Sequence, residues 1–334
     1  MVNKKITYIL VGVAAVASMA IANPTPEFRG IYNTAPATKW EDAFVSGNGD
    51  SGIMVYGGAL DDTIVFNHHT FIRPKGLVHL PPDMTPVLGA MRDKMLAGDI
   101  PGGWLDYYNY AMAKGMNSLE DSQIFHPGFH LKIQHPEEGA VENYRHVCNY
   151  ETGEVIVSWD DRRGSWSRKS FVSRDQDWIV TLIEKSTGAA LDVTLSLEKA
   201  IHHPGGFLVE TPNSAQFLNF RCRYNTIDGK QGGYEGVTRV ILNGGTSLVD
   251  GSNHLRVSGA NSVLLITKLA RYKDDYQGWD AQTLQAELKS ISKNYDQLLA
   301  DHTAIHSEMY NRVSYDVGGS EVDRARPVAQ LVAN

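Results

Sequence analysis

The sequence predicts a mainly β protein, a sandwich of two antiparallel sheets with a short helical excursion and a C-terminal amphipathic helix. Three observations predict this fold class. Short β-rich runs follow one another closely, Gly, Asn and Asp separate them, and two regions change to a helical period. The composition agrees, because 42% of the 334 residues are hydrophobic and only 21% are charged, which is sufficient for a packed core.

The strand segments are recognised by alternation of apolar and polar residues. Between Glu154 and Trp159 the sequence alternates after a Thr152-Gly153 turn, as in a strand with one buried face. Similar short runs recur along the chain, at Ser51–Tyr56, Thr63–Asn67, Trp166–Ser173, Trp178–Glu184, Leu191–Leu197, Thr238–Leu242, His254–Val257 and Ser262–Ala270. Many short strands with regular turns predict a sandwich or barrel.

Two regions have helical spacing instead. Pro86–Leu96 and Trp104–Met112 read as helices inserted between strands. A longer helix is predicted from a cap at Asp280. Its apolar stripe must be buried on the sandwich or on a following domain, and consists of Leu284, Leu288, Ile291, Tyr295, Leu298, His302, Ile305 and Met309.

Residues 1–22 have the layout of a secretory signal peptide. Lys4 and Lys5 precede an apolar run from Ile6 to Met19, and Ala20-Ile21-Ala22 supplies the small residues of a cleavage site. The run is shorter than the ~20 apolar residues of a spanning helix. We therefore expect cleavage after Ala22, a periplasmic or secreted location, and no membrane attachment of the mature chain.

Charge and cysteine content restrict the possible partners. The formal net charge is −7, which gives no electrostatic basis for binding nucleic acid. Cys148 and Cys222 could pair in an oxidising compartment or remain buried thiols, and the sequence alone leaves this open.

Motifs of common enzyme classes are absent from the sequence. It contains no G-x-S-x-G, Walker loop or H-E-x-x-H, and the glycine-rich Ser46–Gly52 precedes a strand, so it predicts a tight turn. His126 and His130 would lie about 13 Å apart in a strand, too far for one metal ion. Neighbouring His68 and His69 are expected on opposite faces. We predict neither a metal nor a cofactor.

Several blocks of the sequence resemble glycoside hydrolase family 95, which includes α-L-fucosidases and α-L-galactosidases. The opening blocks are Tyr32–Ala37, Lys39–Ala43, Gly47–Gly49 and Gly52–Gly58. The next block, Phe66–Ile72, departs from the family pattern, because His68 and His69 replace an acidic pair and Ile72 replaces a tryptophan. Further similar blocks follow at Tyr144–Gly153, Val155–Trp159, Ser167–Ser173, Tyr295–Leu299 and Tyr310–Ser314.

The resemblance implies an N-terminal β-super-sandwich domain at residues 27–275 and the truncated start of a helical linker at 279–334. In that family the catalytic groups lie in a following (α/α)6 barrel, so no catalytic residue is expected in this chain. The resemblance implies that the sandwich contacts the rim of the active site. We predict Trp40, Asn48, His68 and Arg73 as substrate-binding rim residues.

The implied reaction is inverting hydrolysis of a terminal α-L-fucoside or α-L-galactoside by two carboxyl groups and one water. The implied partners are a fucosylated or galactosylated glycan and a missing or separate barrel. Two alternatives remain open at this point: a stand-alone carbohydrate-binding sandwich, and a non-functional gene fragment. The fragment reading rests on the long apolar stripe, which would be exposed without its partner.

Overall fold

A computed structural model describes residues 29–73, 82–116, 124–200, 207–226, 230–272, 281–315 and 318–332. The predicted signal peptide and the cap at Asp280 lie outside the described residues. Two large antiparallel sheets account for most of the described chain, as predicted from the spacing of the strand segments.

The first sheet has nine strands, in the spatial order β1 (Gly30–Asn33), β8 (Glu142–Asn149), β9 (Val155–Asp161), β10 (Gly164–Val172), β11 (Ile179–Lys185), β18 (Ser262–Tyr272), β15 (Gly233–Asn243), β14 (Phe217–Arg223), β13 (Leu208–Glu210). The second has seven strands, in the order β16 (Thr246–Val249), β17 (Leu255–Ala260), β12 (Leu191–Lys199), β7 (Phe129–Gln134), β4 (Asp61–His68), β3 (Ser51–Val55), β2 (Phe44–Gly47). A two-stranded ribbon joins β5 (Ile72–Arg73) to β6 (Ile124–Phe125).

The main core fills the space between the two sheets. On β9, Val155, Val157 and Trp159 are buried while the residues between them are partly exposed, which confirms the predicted alternation. Aromatic rings dominate the centre, where Phe129 lies edge-on to Phe66 and stacks on Phe220. The inward faces of both sheets therefore share one apolar layer.

A second core lies on the outer face of the nine-stranded sheet. It is covered by α3 (Ala281–Ser290) and α4 (Tyr295–Tyr310), whose buried residues Leu284, Leu288 and Leu298 pack on that face. Most of the predicted stripe, from Leu284 to His302, is thus buried on the sandwich itself, whereas Ile305 and Met309 are exposed.

The prediction of a single C-terminal helix is wrong in one respect, because this part of the chain forms two helices. Asn294 caps the second helix, and its side chain accepts hydrogen bonds from the backbone N–H groups of Asp296 and Gln297. The apolar stripe continues from one helix to the next because both helices pack their apolar residues on the same face of the nine-stranded sheet.

The helical excursion is confirmed as a hairpin of α1 (Thr85–Leu96) and α2 (Ile100–Ala113). Asp99 caps α2 by accepting a hydrogen bond from the Gly102 N–H. The remaining helices are a 3₁₀ turn (Trp40–Asp42), α5 (Glu321–Arg324) and α6 (Val328–Val332). In the part of the chain that the structure describes, no helix is long and apolar enough to span a membrane.

Cys148 and Cys222 do not form a disulfide. They lie on β8 and β14, which are six positions apart in the nine-stranded sheet. At ~4.8 Å per strand this separation is roughly 29 Å, far beyond the reach of a disulfide. Burial raises the pKa of the Cys148 thiol to about 11 and that of Cys222 to about 12.

Candidate functional site

Three loops meet at one end of the sandwich. They are the β2–β3 turn at 48–50, the segment 69–71 after β4, and the β10–β11 turn at 173–178. Antiparallel pairing brings the first two together, because Ser51 at the start of β3 lies opposite His68 at the end of β4. The third loop comes from the facing sheet and is joined to the first by a hydrogen bond from Asn48 to Ser173. This end of the molecule contains two of the four rim residues predicted from the sequence.

Asn48 builds the first loop and ties it to the third. Its side-chain oxygen accepts hydrogen bonds from the backbone N–H groups of Asp50 and Ser51, at 2.9 and 2.8 Å. Its amide nitrogen donates to the Ser173 carbonyl at 2.9 Å. Gly49 between them has φ +103°, which favours glycine. The glycine-rich segment is therefore the tight turn that the sequence predicts.

His68 and His69 lie on the same side of this end, contrary to the expectation of opposite faces. Their rings stack with centroids 4.6 Å apart. The strand period no longer applies because β4 ends at His68, where the chain turns and the Phe71 N–H donates to the His68 carbonyl. Both imidazoles can therefore serve one site.

The His68 ring is held in one tautomer. Its Nδ1 accepts from the Thr70 backbone N–H at 3.2 Å and lies 2.8 Å from the Thr70 hydroxyl, which places the proton on Nε2. Burial lowers the pKa of His68, although the carboxylates of Asp177 and Asp50 act in the opposite direction. At neutral pH the ring therefore presents a neutral N–H donor.

Two carboxylates accompany the imidazoles. The Ser51 hydroxyl donates to Asp177 at 2.7 Å, and Asp50 lies 3.4 Å from Nδ1 of His69. We call this group the polar edge, and it consists of Asn48, Asp50, Ser51, His68, His69 and Asp177. Sequence reasoning listed Asp50 among many turn acids and missed Asp177, because nothing in the sequence places residue 177 beside residue 51.

The other two predicted rim residues are placed differently. Trp40 precedes β2 and lies near the end of that strand where Phe44 pairs with Val55, away from the β2–β3 turn. Its side chain is 55% exposed. It is therefore not part of the polar edge. Arg73 ends β5, a few residues beyond His68, and its side chain is outside the described set.

The polar edge offers both hydrogen-bond donors and acceptors to a ligand. Imidazole N–H groups, an amide and two carboxylates are groups that hydrogen-bond sugar hydroxyls. Within the described ranges, no group of three or more His, Cys, Asp or Glu side chains is arranged to hold a metal ion. An open cavity of about 340 Å³ lies elsewhere, beside Gln134, Asp192 and Arg256.

Comparison with known proteins gives the family. Residues 31–279 match the family described as "Glycosyl hydrolase family 65, N-terminal domain". The chain belongs to this family. It is also 23% identical over 328 residues to "Alpha-L-fucosidase 2" of Arabidopsis thaliana, an alignment that covers 86% of this chain and 36% of that protein.

A solved structure, "Putative kojibiose phosphorylase from human microbiome", is similar with a TM-score of 0.48 and 11% identity. This similarity covers 84% of the present chain and 39% of that one. The chain thus spans little more than a third of the length of these relatives. The expected glycoside hydrolase-like N-terminal sandwich is confirmed, and assignment to family 95 stays a prediction.

Proposed function

We propose that this domain forms part of an exported glycoside hydrolase that acts on terminal α-L-fucosides or α-L-galactosides. The observation that carries the proposal is the polar edge, where Asn48, His68 and Asp177 meet at one end of the sandwich. Similarity to an α-L-fucosidase supports a sugar as the ligand. The family 95 resemblance supports the choice of α-L-fucose or α-L-galactose.

The polar edge would bind the sugar and leave bond cleavage to another domain. Glycosidases enclose the scissile bond between two carboxyl groups in a concave site. Here Asp50 is on an open turn with its side chain 67% exposed, and Asp177 already accepts a hydrogen bond from Ser51. We therefore expect that the domain alone binds the sugar weakly and does not hydrolyse it.

Calorimetric titration with a panel of fucosylated and galactosylated glycans tests the binding proposal. Asp177→Asn removes a charged acceptor and should weaken the affinity roughly tenfold or more. Asp175→Asn is the matched control, because it makes the same charge change on an exposed residue of the same turn. Flat heats across the panel, or equal losses in the two variants, would refute the proposed site.

Hydrolysis of an aryl α-L-fucoside tests the catalytic half of the proposal. The purified domain should release no more product than buffer does, because the (α/α)6 barrel that the resemblance implies would carry the catalytic carboxyl groups. Turnover at an enzyme-like rate, about 1 per second or faster, would contradict this division of labour.

A further inference from the structure

The loop that carries Asp177 is also attached to α4. The backbone N–H of Arg174 donates to Nδ1 of His302 at 3.1 Å, and its Nε–H donates to Nδ1 of His306 at 3.1 Å. The adjacent Ser173 accepts the hydrogen bond from Asn48. One turn therefore connects the polar edge on one side with two histidines of α4 on the other.

The opposite nitrogens of both imidazoles bond to the β8–β9 turn. Nε2 of His302 lies 2.9 Å from the Thr152 carbonyl, and Nε2 of His306 lies 2.8 Å from the Tyr150 carbonyl. The Ser307 hydroxyl adds a third bond to this turn, at the Glu151 carbonyl. The last two turns of α4 are thus fixed to two loops by side-chain hydrogen bonds.

At His302 this pattern fits only the neutral form of the ring. An N–H group of Arg174 can only donate, so Nδ1 must carry a lone pair, and a carbonyl can only accept, so Nε2 must carry the proton. A second proton on His302 would sit on Nδ1 and point at the backbone N–H of Arg174, so that two donors would face each other. It would also place a cation beside the Arg174 guanidinium. That guanidinium cannot lose its own charge to relieve the repulsion.

Among the residues that the structure describes, few other charges are near enough to compensate. The ionisable groups that face His302 are Arg174 from the β10–β11 turn and His306 from α4, while Phe171 of β10 covers its ring at 4.8 Å. His306 in turn stacks on Tyr310 and bonds to the turn of Tyr150 and Glu151. His302 is 1% exposed, so water does not screen an added charge.

We propose that the C-terminal half of α4 is a latch that positions the turn of Asp177 and Asn48, and that proton uptake by His302 releases it. This inference rests on the proposed function only for its effect on sugar binding. His302 and Arg174 are positioning residues, because neither belongs to the polar edge. The N-terminal half of α4 would stay in place, since Tyr295 bonds to Glu154 and Leu298 is buried.

The direction of the pH effect follows from the folded-state pKa. Burial, the neighbouring His306 and Arg174 lower the pKa of His302 from 6.5 to about 4. The released ring binds protons more tightly than the latched ring, so latching weakens as the pH falls from about 6.5 toward 4. Between pH 7 and pH 5 the released fraction should rise roughly twentyfold.

Hydrogen exchange of the full chain at pH 7.0 and 5.0 tests the latch without any glycan. After correction for intrinsic rates, residues 302–310 should lose protection at pH 5.0 relative to the core strand β11. His302→Gln, which has no proton to gain, should abolish this acid response, and His254→Gln at a distant turn should leave it unchanged. The affinity for a bound glycan should then fall with pH in the parent chain and not in His302→Gln.

Equal protection of 302–310 and β11 at both pH values would overturn the latch. An acid response of His302→Gln equal to that of the parent chain would do the same. If His302→Gln does not fold, the protection of residues 302–310 relative to β11 in the parent chain still tests the proposed latch. Because exchange requires no sugar, failure of the latch is distinguishable from failure of the proposed function.

Discussion

The backbone conformation at position 57 and the adjacent ring of His146 both require a glycine there. Gly57 has φ +80°, and a Cβ atom built at this position would lie 2.7 Å from the ring of His146. Its N–H also donates to the buried Asp62 carboxylate. At the residue scale, this explains why the β3–β4 turn contains glycine where the sequence resembles a family motif.

Gly57→Ala should therefore destabilise the domain by about 2–4 kcal/mol, from backbone strain and the collision with the buried imidazole. The control is Gly49→Ala, which also has positive φ but meets no atom within 4 Å. It should cost about 1 kcal/mol. Urea denaturation measures both, and equal losses would show that contact with His146 does not matter.

Arg168 and Asp62 form an ion pair between the sheets. Nη2 of Arg168 lies 2.6 Å from Asp62 and donates to the Gly58 carbonyl, and both side chains are fully buried. Three backbone N–H groups also donate to Asp62, from Gly57, Gly58 and Thr63. These three bonds all go to one oxygen of Asp62, and the Arg168 guanidinium is the cation beside the other oxygen.

Arg168→Met should cost about 3–5 kcal/mol, because it leaves a buried carboxylate without its cation. The neighbouring Lys169 faces outward and pairs with Glu184 at a partly exposed site. Lys169→Met should therefore cost about 1 kcal/mol or less. Chemical denaturation of the two variants would contradict the buried pair if their midpoints moved equally.

At the scale of elements, α3 and α4 behave as part of the sandwich. Leu288 is fully buried on the nine-stranded sheet, and its carbonyl accepts a hydrogen bond from Arg239 at 2.7 Å. Ile305, which belongs to the same predicted stripe, is 37% exposed. The stripe is therefore buried at its start and exposed towards its end.

Leu288→Ala should destabilise the domain by about 2–4 kcal/mol, since it opens a cavity in the second core. Ile305→Ala should cost less, about 1 kcal/mol, because Ile305 is already 37% exposed and its truncation removes less buried apolar surface. Thermal and urea unfolding measure both changes. A negligible effect of Leu288→Ala would mean that α3 is not packed on the sheet.

At the scale of the whole molecule, buried histidines make stability depend on pH. Burial lowers the pKa of His146 to about 4 and that of His135 to about 3, with the charge of Arg168 acting in the same direction. Both rings are neutral when folded and can take up a proton when unfolded, so stability falls as the pH drops from about 6.5 toward 4.

Each of these two histidines should contribute about 1–2 kcal/mol of lost stability between pH 7 and pH 5. Urea titrations at the two pH values measure the sum of these contributions and that of His302, whose pKa is also lowered to about 4, and His146→Gln should reduce the difference. Stability that is unchanged over this interval would show that both rings are protonated as readily in the folded chain as in the unfolded one.

The sequence alone determined the class of the fold, because strand alternation and turn residues are local properties that burial on one sheet face requires. It also determined the excursion of two helices and the tight turn at Gly47–Gly49. It did not determine that Trp40 lies apart from Asn48, or that His68 and His69 face the same way. Those outcomes depend on where β2 and β4 end.

Only the tertiary structure decided the composition of the polar edge and of the latch. Asp177 is 126 residues from Ser51, and Arg174 is 128 residues from His302, so no local pattern links either pair. Sheet order and the docking of α4 bring these groups within hydrogen-bonding distance. The residue types come from the sequence, but their shared chemistry exists only because strand pairing and the packing of the two sheets place three loops at one end of the sandwich.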